Sequence, residues 1–229
     1  MASIQQFNYP ITRLLDYPII KLSRLCAIVD VAACELCGRQ PLDLVRACLA
    51  GGARFLQLRA KELGSGAFLE LARTATALAH AAGAVLIVND RADLARLAGA
   101  DGVHVGQDDL SPADVRRVVG DDAIVGLSTH TTEQLEQAIG QPVSYVAIGP
   151  VFSTSTKATG YDAVGLAMVR AAAAIAARRS LPLVAIGGIT IETAASVIDA
   201  GAASVAVIGD LLTGGNPEAR VRKYVRTLA

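Results

Sequence analysis

Eight short runs of branched apolar residues, each separated from the next by a longer segment with helical spacing, restrict this chain to architectures built on a parallel sheet. The runs are Leu25–Asp30, Arg54–Arg59, Val85–Asp90, Gly102–Val105, Ala123–Ser128, Tyr145–Pro150, Leu183–Gly187 and Ser204–Gly209. They are nearly continuous in apolar character rather than alternating, which is how a strand covered on both faces reads. Between them, Gly66–Ala81 and Gly165–Arg179 are rich in Ala and Leu, while Ser111–Val119, Thr132–Ile139 and Thr190–Ala200 open on capping residues. Ser111 followed by Pro112 sets a capping hydroxyl before a first-turn proline. Thr190 precedes a run in which Glu192 supplies first-turn negative charge. Three units close alike, with Gly52-Ala53, Gly83-Ala84 and Gly201-Ala202 standing just before a strand. A glycine there can take the left-handed conformation that stops a helix.

Eight strands with helices between them predict a single α/β domain, a (β/α)8 TIM barrel. An open doubly wound sheet uses the same alternation and is the competing architecture. The chain has 229 residues, within the ~200 to 250 that one such barrel needs. Residues 1–24 form a lead segment, either disordered or a helix capping the barrel bottom, and residues 25–229 form the catalytic barrel. Apolar residues make up 52% of the chain and aromatics 4%, a composition suited to close helix–sheet packing without disulfide or metal staples.

Charge excludes some classes of function. The 21 basic and 21 acidic residues balance, so the chain lacks the footprint of a nucleic-acid binder or a polybasic membrane segment. No apolar run reaches the ~18 residues needed to cross a bilayer. Arg13, Asp16 and Lys21 interrupt what would be the apolar region of a signal peptide. Of the four cysteines, Cys26, Cys34, Cys37 and Cys48, the middle two form a CxxC pair. No second pair with zinc spacing follows, so incidental thiols in a cytoplasmic protein are expected. Small molecules are the expected partners, and association of the chain with itself is left open.

In a barrel of this kind, reactive groups emerge at the C-terminal ends of the strands. The second run ends in Gln57-Leu58-Arg59-Ala60-Lys61, with Gln57, Arg59 and Lys61 at alternate positions and so on one face. The third ends in Asn89-Asp90, the fourth leads into His104 and then Asp108-Asp109, and the fifth ends in Ser128-Thr129-His130. The sixth runs on through Thr154 and Thr156 to Lys157, and the last two end in Gly187-Gly188 and Ile208-Gly209. Arg59, Lys61 and Lys157 supply positive charge for an anion. Asp90 and Asp109 are hard oxygen ligands suited to Mg²⁺, which keeps few protein carboxylates and fills its shell with phosphate and water. The glycines after runs seven and eight match the place where many barrels bind phosphate through backbone amides. Each element also has a plain structural alternative. Arg59 and Lys61 can be solvated charges, Asn89-Asp90 a turn, and Gly187-Gly188 relief of crowding. His104 and His130 are expected to be structural, or to support a binding residue from behind, rather than to ligate metal.

Six motifs in order resemble the thiamine phosphate synthase family: QLRAK at 57–61, VND at 88–90, HVGQDD at 104–109, GLSTH at 126–130, GPVFSTSTK at 149–157 and IGGI at 186–189. The likeness runs from about Leu25 to the C-terminus. It implies a barrel enzyme using Mg²⁺ that couples a pyrimidine diphosphate to a thiazole phosphate and releases pyrophosphate. Carried over residue by residue, it implies that Gln57, Arg59, Lys61, Asn89, Ser128 and Lys157 contact the pyrimidine diphosphate. Of these, Arg59, Lys61, Lys157 and Ser128 would be catalytic. Asp90 and Asp109 would hold the metal, and Thr154, Thr156, Gly188, Ile208 and Gly209 the thiazole phosphate. One position departs from the family pattern, which commonly has serine where Gly209 stands, so a hydroxyl donor is lost. The competing functions are a thiazole tautomerase paralogue, a non-catalytic thiazole or thiamine phosphate-binding protein, and another phosphate-binding barrel.

Overall fold

A computed structural model describes residues 22–153 and 160–229. Its eight parallel strands are β1 Leu25–Asp30, β2 Phe55–Arg59, β3 Val85–Asn89, β4 Gly102–Val105, β5 Ile124–Thr129, β6 Tyr145–Ile148, β7 Leu183–Ile186 and β8 Ser204–Val207. They pair in chain order and close through a ladder that sets Leu25 opposite Val205 and Ala27 opposite Val207. That ladder rules out the open doubly wound sheet. The connecting helices are α1 Val31–Leu36, α2 Pro41–Ala50, α3 Ser65–Ala81, α4 Ala92–Ala98, α5 Pro112–Val119, α6 Thr132–Ala138, α7 Gly165–Ala177 and α8 Ala194–Asp199. A 3-10 helix, Gly209–Gly215, follows β8 and leads into α9, Pro217–Thr227.

Local chemistry accounts for most of these boundaries. Ser111 caps α5 as its sequence suggests, accepting the Asp114 N–H at 3.2 Å. Gly52, Gly83 and Gly201 all have positive φ, as the Gly-Ala signal requires. Two expectations shift. The last three strands stop before Gly149, Gly187 and Ile208, because the backbone turns there into the loops of the upper face. The eighth helix begins at Ala194 rather than at Thr190. Residues 190–193 form a turn in which Thr193 Oγ1 accepts the Thr190 N–H at 3.0 Å, leaving Glu192 ahead of the helix. Helices α1, α2, α4 and α9 are not singled out by spacing. The Asn216-Pro217 start of α9 repeats the Ser111-Pro112 signal, with the Asn216 side chain accepting from Ala219 N at 3.0 Å.

Strand parity sorts the core into two shells. One set of alternate residues, including Val29, Leu58, Val88, Val105, Leu127 and Val207, is buried against the helices. The other set, including Cys26, Ile28, Phe55, Ile87, Tyr145 and Ala206, fills the barrel axis. A buried branched side chain contributes roughly 1.5–3 kcal/mol, so a one-residue slip that exchanged the shells is strongly disfavoured.

Two polar bolts reinforce this frame. At the N-terminal end of the strands, the buried Arg116 donates to the carbonyls of Pro142 (3.0 Å) and Asp121 (3.0 Å), to that of Ala123, and to Ser144 Oγ (3.1 Å). At the opposite end, Asp210 accepts from Arg220 at 2.6 and 3.1 Å, from the Tyr224 hydroxyl, and from the Ile191 N–H at 3.2 Å. It thereby ties the 3-10 helix both to α9 and to the loop after β7. Burial opposes ionisation of Asp210, yet hydrogen bonds from Arg220 and Tyr224 win and hold its carboxyl below the usual range.

Replacing Arg116 by Ala strands several buried carbonyls and is expected to cost on the order of 3 kcal/mol, read as a lower urea midpoint. Asp210→Ala is expected to destabilise by about 1.5–3 kcal/mol at pH 7. A depressed native pKa stabilises above the unfolded value of about 3.9 and fades as pH falls through the native one. The gap between this variant and the parent protein should therefore narrow on acidification below about pH 4. A gap independent of pH would contradict the ionic role of Asp210.

Candidate active site at the strand C-termini

Strand parity determines which polar residues meet. Asp30 lies opposite Arg59 across the β1–β2 ladder, and Asn89 opposite His104 across β3–β4. Gln57, two residues before Arg59, and Ser128, two residues after the Gly126 that pairs with His104, share the same inward face. The alternation expected of Gln57, Arg59 and Lys61 is observed, with Gln57 buried, Arg59 half-buried and Lys61 out at the rim.

Charges in this region come in pairs. Asp30 is buried and does two jobs: one oxygen caps α1 by accepting the Ala33 N–H at 2.9 Å, and the other takes the guanidinium of Arg59. Arg59 Nε is buried with no protein hydrogen-bond partner. Lys61 forms an ion pair with Asp90, whose carboxyl is also in hydrogen-bond contact with Asp109. Burial raises the pKa of Asp90; Lys61 opposes the rise and Asp109 adds to it. Asp109 is positioned from below by the Gly106 N–H, 2.8 Å from its Oδ2. Asp90 itself has φ +64, with its N–H donating to the His104 carbonyl at 2.8 Å. No three His, Cys, Asp or Glu side chains cluster as a metal site among the described residues. The carboxylate candidates therefore remain the two aspartates.

Several cavities open on this face, among them a small one of about 30 Å³ bordered by Gln57, Arg59 and His104, and two larger ones that lie side by side. One, of about 240 Å³, is bordered by Lys61, Asn89, Asp90, Asp109, Ser128 and His130. The other, of about 360 Å³, is bordered by Ser128, His130, the residues from Ile186 to Thr190 with their two glycines, and Ile208 to Asp210. Ser128 and His130 border both. Ser128 Oγ is 2.8 Å from His104 Nε2, while His104 Nδ1 is 2.8 Å from the Tyr145 hydroxyl. His130 Nδ1 is 2.6 Å from the Gly149 carbonyl, and its ring stacks on Tyr161 with centroids 4.1 Å apart. Both histidines are thus held by protein groups.

The other expectations fare unevenly. Gly188, at φ +62, answers to the crowding alternative, because a side chain there would run into Phe152 and the Ser153 carbonyl. Its backbone still borders the larger cavity together with Ile208 and Gly209. Thr154, Thr156 and Lys157 lie outside the described residues. The CxxC pair is split, with Cys34 buried and Cys37 exposed, and all four cysteines are free thiols. Sequence reasoning missed Asp30, Tyr145 and the Asp210–Arg220 bolt. For Asp30 a signal existed, since it is the polar end of the first strand and has the same parity as Ile28.

Comparison with known proteins places this architecture. The sequence model of the thiamine monophosphate synthase family matches residues 25–211. A thiamine-phosphate synthase of Koribacter versatilis is 45% identical over 216 residues, covering 91% of this chain and 97% of the relative. One from Anaeromyxobacter dehalogenans is 45% identical over 182 residues, 80% of each chain. Among solved structures, a thiamine phosphate pyrophosphorylase from Pyrococcus furiosus superposes with a TM-score of 0.80 at 26% identity, covering 90% of this chain and 95% of that one. A 3-hexulose-6-phosphate synthase, at TM-score 0.58 and 19% identity, shares the fold alone. With a family model spanning all eight strands and a relative at 45% identity covering 91% of the chain, the protein belongs to the thiamine monophosphate synthase family.

Proposed function

We propose that this protein acts as a thiamine-phosphate synthase, a transferase of thiamine biosynthesis. It joins 4-amino-2-methyl-5-(diphosphooxymethyl)pyrimidine to 4-methyl-5-(2-phosphooxyethyl)thiazole and releases pyrophosphate. The observation that carries this reading is the adjacency of two unlike cavities that share Ser128 and His130. One is bordered by a lysine and a carboxylate pair, the other by the exposed backbone after β7 and β8. A reaction between two anionic substrates, one of which loses a diphosphate, needs two such compartments meeting at one point.

The diphosphate belongs to the charged compartment. Gln57 and Asn89 hold the pyrimidine end, while Ser128, Arg59, Lys61 and Lys157 face the phosphates. The unpartnered Nε of Arg59 supports a ligand acceptor at that position. Asp90 and Asp109 fit Mg²⁺, because two touching carboxylates, one of them half-buried, repel each other beyond what Lys61 offsets and suit an ion that takes its remaining ligands from phosphate and water. When bound, that ion would supply charge neutralisation to the leaving diphosphate. The thiazole phosphate belongs to the larger compartment, held by the backbone of Gly188, Ile208 and Gly209 with Thr154 and Thr156.

Chemistry follows from this placement. The bond between the methylene carbon and the diphosphate oxygen breaks with both electrons leaving on oxygen, where Arg59, Lys61 and Lys157 stabilise the growing charge. The electron-rich aminopyrimidine spreads the positive charge left on the methylene carbon. The thiazole nitrogen then supplies its lone pair to form the new C–N bond, and the walls of the larger cavity hold it in line. No side-chain nucleophile or general base is required. A cytoplasmic location is part of the proposal and is supported by the four free thiols. No helix among the described residues is long and apolar enough to cross a membrane.

Pyrophosphate release by the purified protein should require both substrates and Mg²⁺, with thiamine phosphate as the product. A folded protein that binds the thiazole phosphate yet releases nothing would overturn the assignment. Asp90→Asn keeps a residue that tolerates positive φ and removes the charge. It is expected to lower turnover by about 100-fold or more, with thiazole-phosphate binding by calorimetry nearly unchanged. Unaltered turnover would remove Asp90 from the metal site. Gly209→Ser restores a hydroxyl donor and should tighten thiazole-phosphate binding about two- to tenfold, with little change for the diphosphate. An equal effect on both substrates would mean that the thiazole phosphate lies elsewhere.

A further inference from the structure

Two buried polar rings have no role in the chemistry above. Tyr145 is 1% exposed on the barrel axis, and its hydroxyl meets His104 Nδ1 at 2.8 Å. His104 Nε2 meets Ser128 Oγ at the same distance. Gln57, His104, Ser128 and Tyr145 border one small cavity of about 30 Å³, and the Gln57 side chain lies within reach of the Tyr145 hydroxyl. Four side chains from four different strands therefore form one line, Gln57–Tyr145–His104–Ser128, and its two ends are residues assigned to the pyrimidine diphosphate. The rings are stacked with centroids 5.5 Å apart at 25°, and Phe55 abuts Tyr145 edge-on at 5.9 Å. Position 126 is glycine because any side chain there would occupy the space of the Tyr145 ring and His104 Nδ1. So much packing for two polar rings indicates that their orientation matters.

Counting protons leaves two directions for the line. A neutral imidazole has one N–H and one acceptor nitrogen, and a phenol has one O–H. In one direction, the Gln57 amide donates to the Tyr145 oxygen, Tyr145 donates to His104 Nδ1, and His104 Nε2–H donates to Ser128. This leaves the Ser128 hydrogen for the cavity and the Gln57 carbonyl as an acceptor. In the other, every bond reverses and Ser128 spends its hydrogen on His104. A diphosphate offers almost nothing but acceptors, while the amino group of an aminopyrimidine offers donors. The Ser128 end decides between them: only the first direction presents a donor to the phosphate oxygens, and the Gln57 carbonyl is then free to accept from the amino group.

We propose that His104 and Tyr145 are positioning residues that fix Ser128 as a donor and Gln57 as an acceptor toward the pyrimidine diphosphate, with the His104 proton on Nε2. The inference rests on the assignment of Ser128 and Gln57 to that substrate. The line works through orientation, and no proton crosses it during turnover.

Nitrogen-15 NMR of histidine-labelled protein reads the tautomer directly. The chain has only three histidines, His80, His104 and His130, so His80→Gln and His130→Asn variants assign the third. An unprotonated Nδ1 and a protonated Nε2 on His104 are expected; the opposite tautomer, or an imidazolium at neutral pH, overturns the proposal. Tyr145→Phe keeps the ring and removes the hydroxyl. It should lower kcat/KM for the pyrimidine diphosphate about 10- to 100-fold, leave the KM for the thiazole phosphate within twofold, and let His104 sample both tautomers. Parent-like kinetics in this variant would overturn the positioning role. His104→Gln, which can still present an N–H to Ser128, should retain several-fold more kcat than His104→Ala; equal losses would count against the proposal. Ser128→Ala separates the two levels of inference. If it leaves the diphosphate kinetics unchanged, the substrate assignment itself has failed and this inference falls with it. If it cripples them while Tyr145→Phe does not, the assignment stands and the line alone is refuted.

Discussion

Every second residue of each strand faces the barrel axis, and closure of β8 onto β1 leaves no edge along which that parity could slip. The rest of the molecule depends on this constraint. The residues that fill the axis at its lower levels, such as Cys26, Ile28, Phe55 and Ile87, are apolar. One or two steps further along the same strands the identical parity delivers Asp30, Gln57, Arg59 and Asn89. Core and site are thus successive layers of one stack rather than separate constructions. Half of the site is carried on strands whose backbones are fixed by ladders on both sides, which is where precise placement is easiest to maintain. The residues after β7 and β8 are carried on loops and need their own fastening, which the Asp210 bolt provides.

Electrostatically the site is built from opposites. Arg59 with Asp30, Lys61 with Asp90 and Arg220 with Asp210 are paired within the protein. The chain as a whole carries no net charge, so attraction of a polyanion is a local matter. A cation already held by a carboxylate gives up some of its pull on a ligand. In return its position is settled beforehand, and little reorganisation is left for the reacting state. The pairs also differ in depth. Asp30 and Arg59 are largely covered, where breaking the pair would strand a charge. Lys61 is half-exposed, where the same contact is worth little on its own.

The fold was legible because a strand buried on both faces leaves a compact apolar run, and because three of the helix stops carried a Gly-Ala mark. Site residues on strands were legible for a related reason: polar side chains at the ends of apolar runs stand out, as Gln57, Asn89 and Ser128 do. Residues that act through another side chain were not. Tyr145 opens a strand and reads as ordinary aromatic core, and nothing local reveals that its hydroxyl meets a histidine 41 residues earlier. Arg220 sits on a polar helix among other basic residues, so its buried partner could not be inferred from spacing. The turn at residues 190–193 was misread as helix because Thr193, rather than Thr190, supplies the hydroxyl at that corner.

Asp90 occupies a left-handed backbone position, a conformation that suits glycine and asparagine at least as well as aspartate and that resists branched side chains. The turn and the metal-binding role proposed for Asp90 therefore set different lists of acceptable residues, and aspartate is where the lists overlap. A lineage released from the need for a carboxylate would have two replacements, asparagine and glycine, that cost the backbone nothing. Glutamate, the substitution closest in charge, would be the harder change. Among descendants of this barrel, the letter at position 90 should record whether the diphosphate chemistry was kept or abandoned more faithfully than neighbouring positions where the backbone is indifferent.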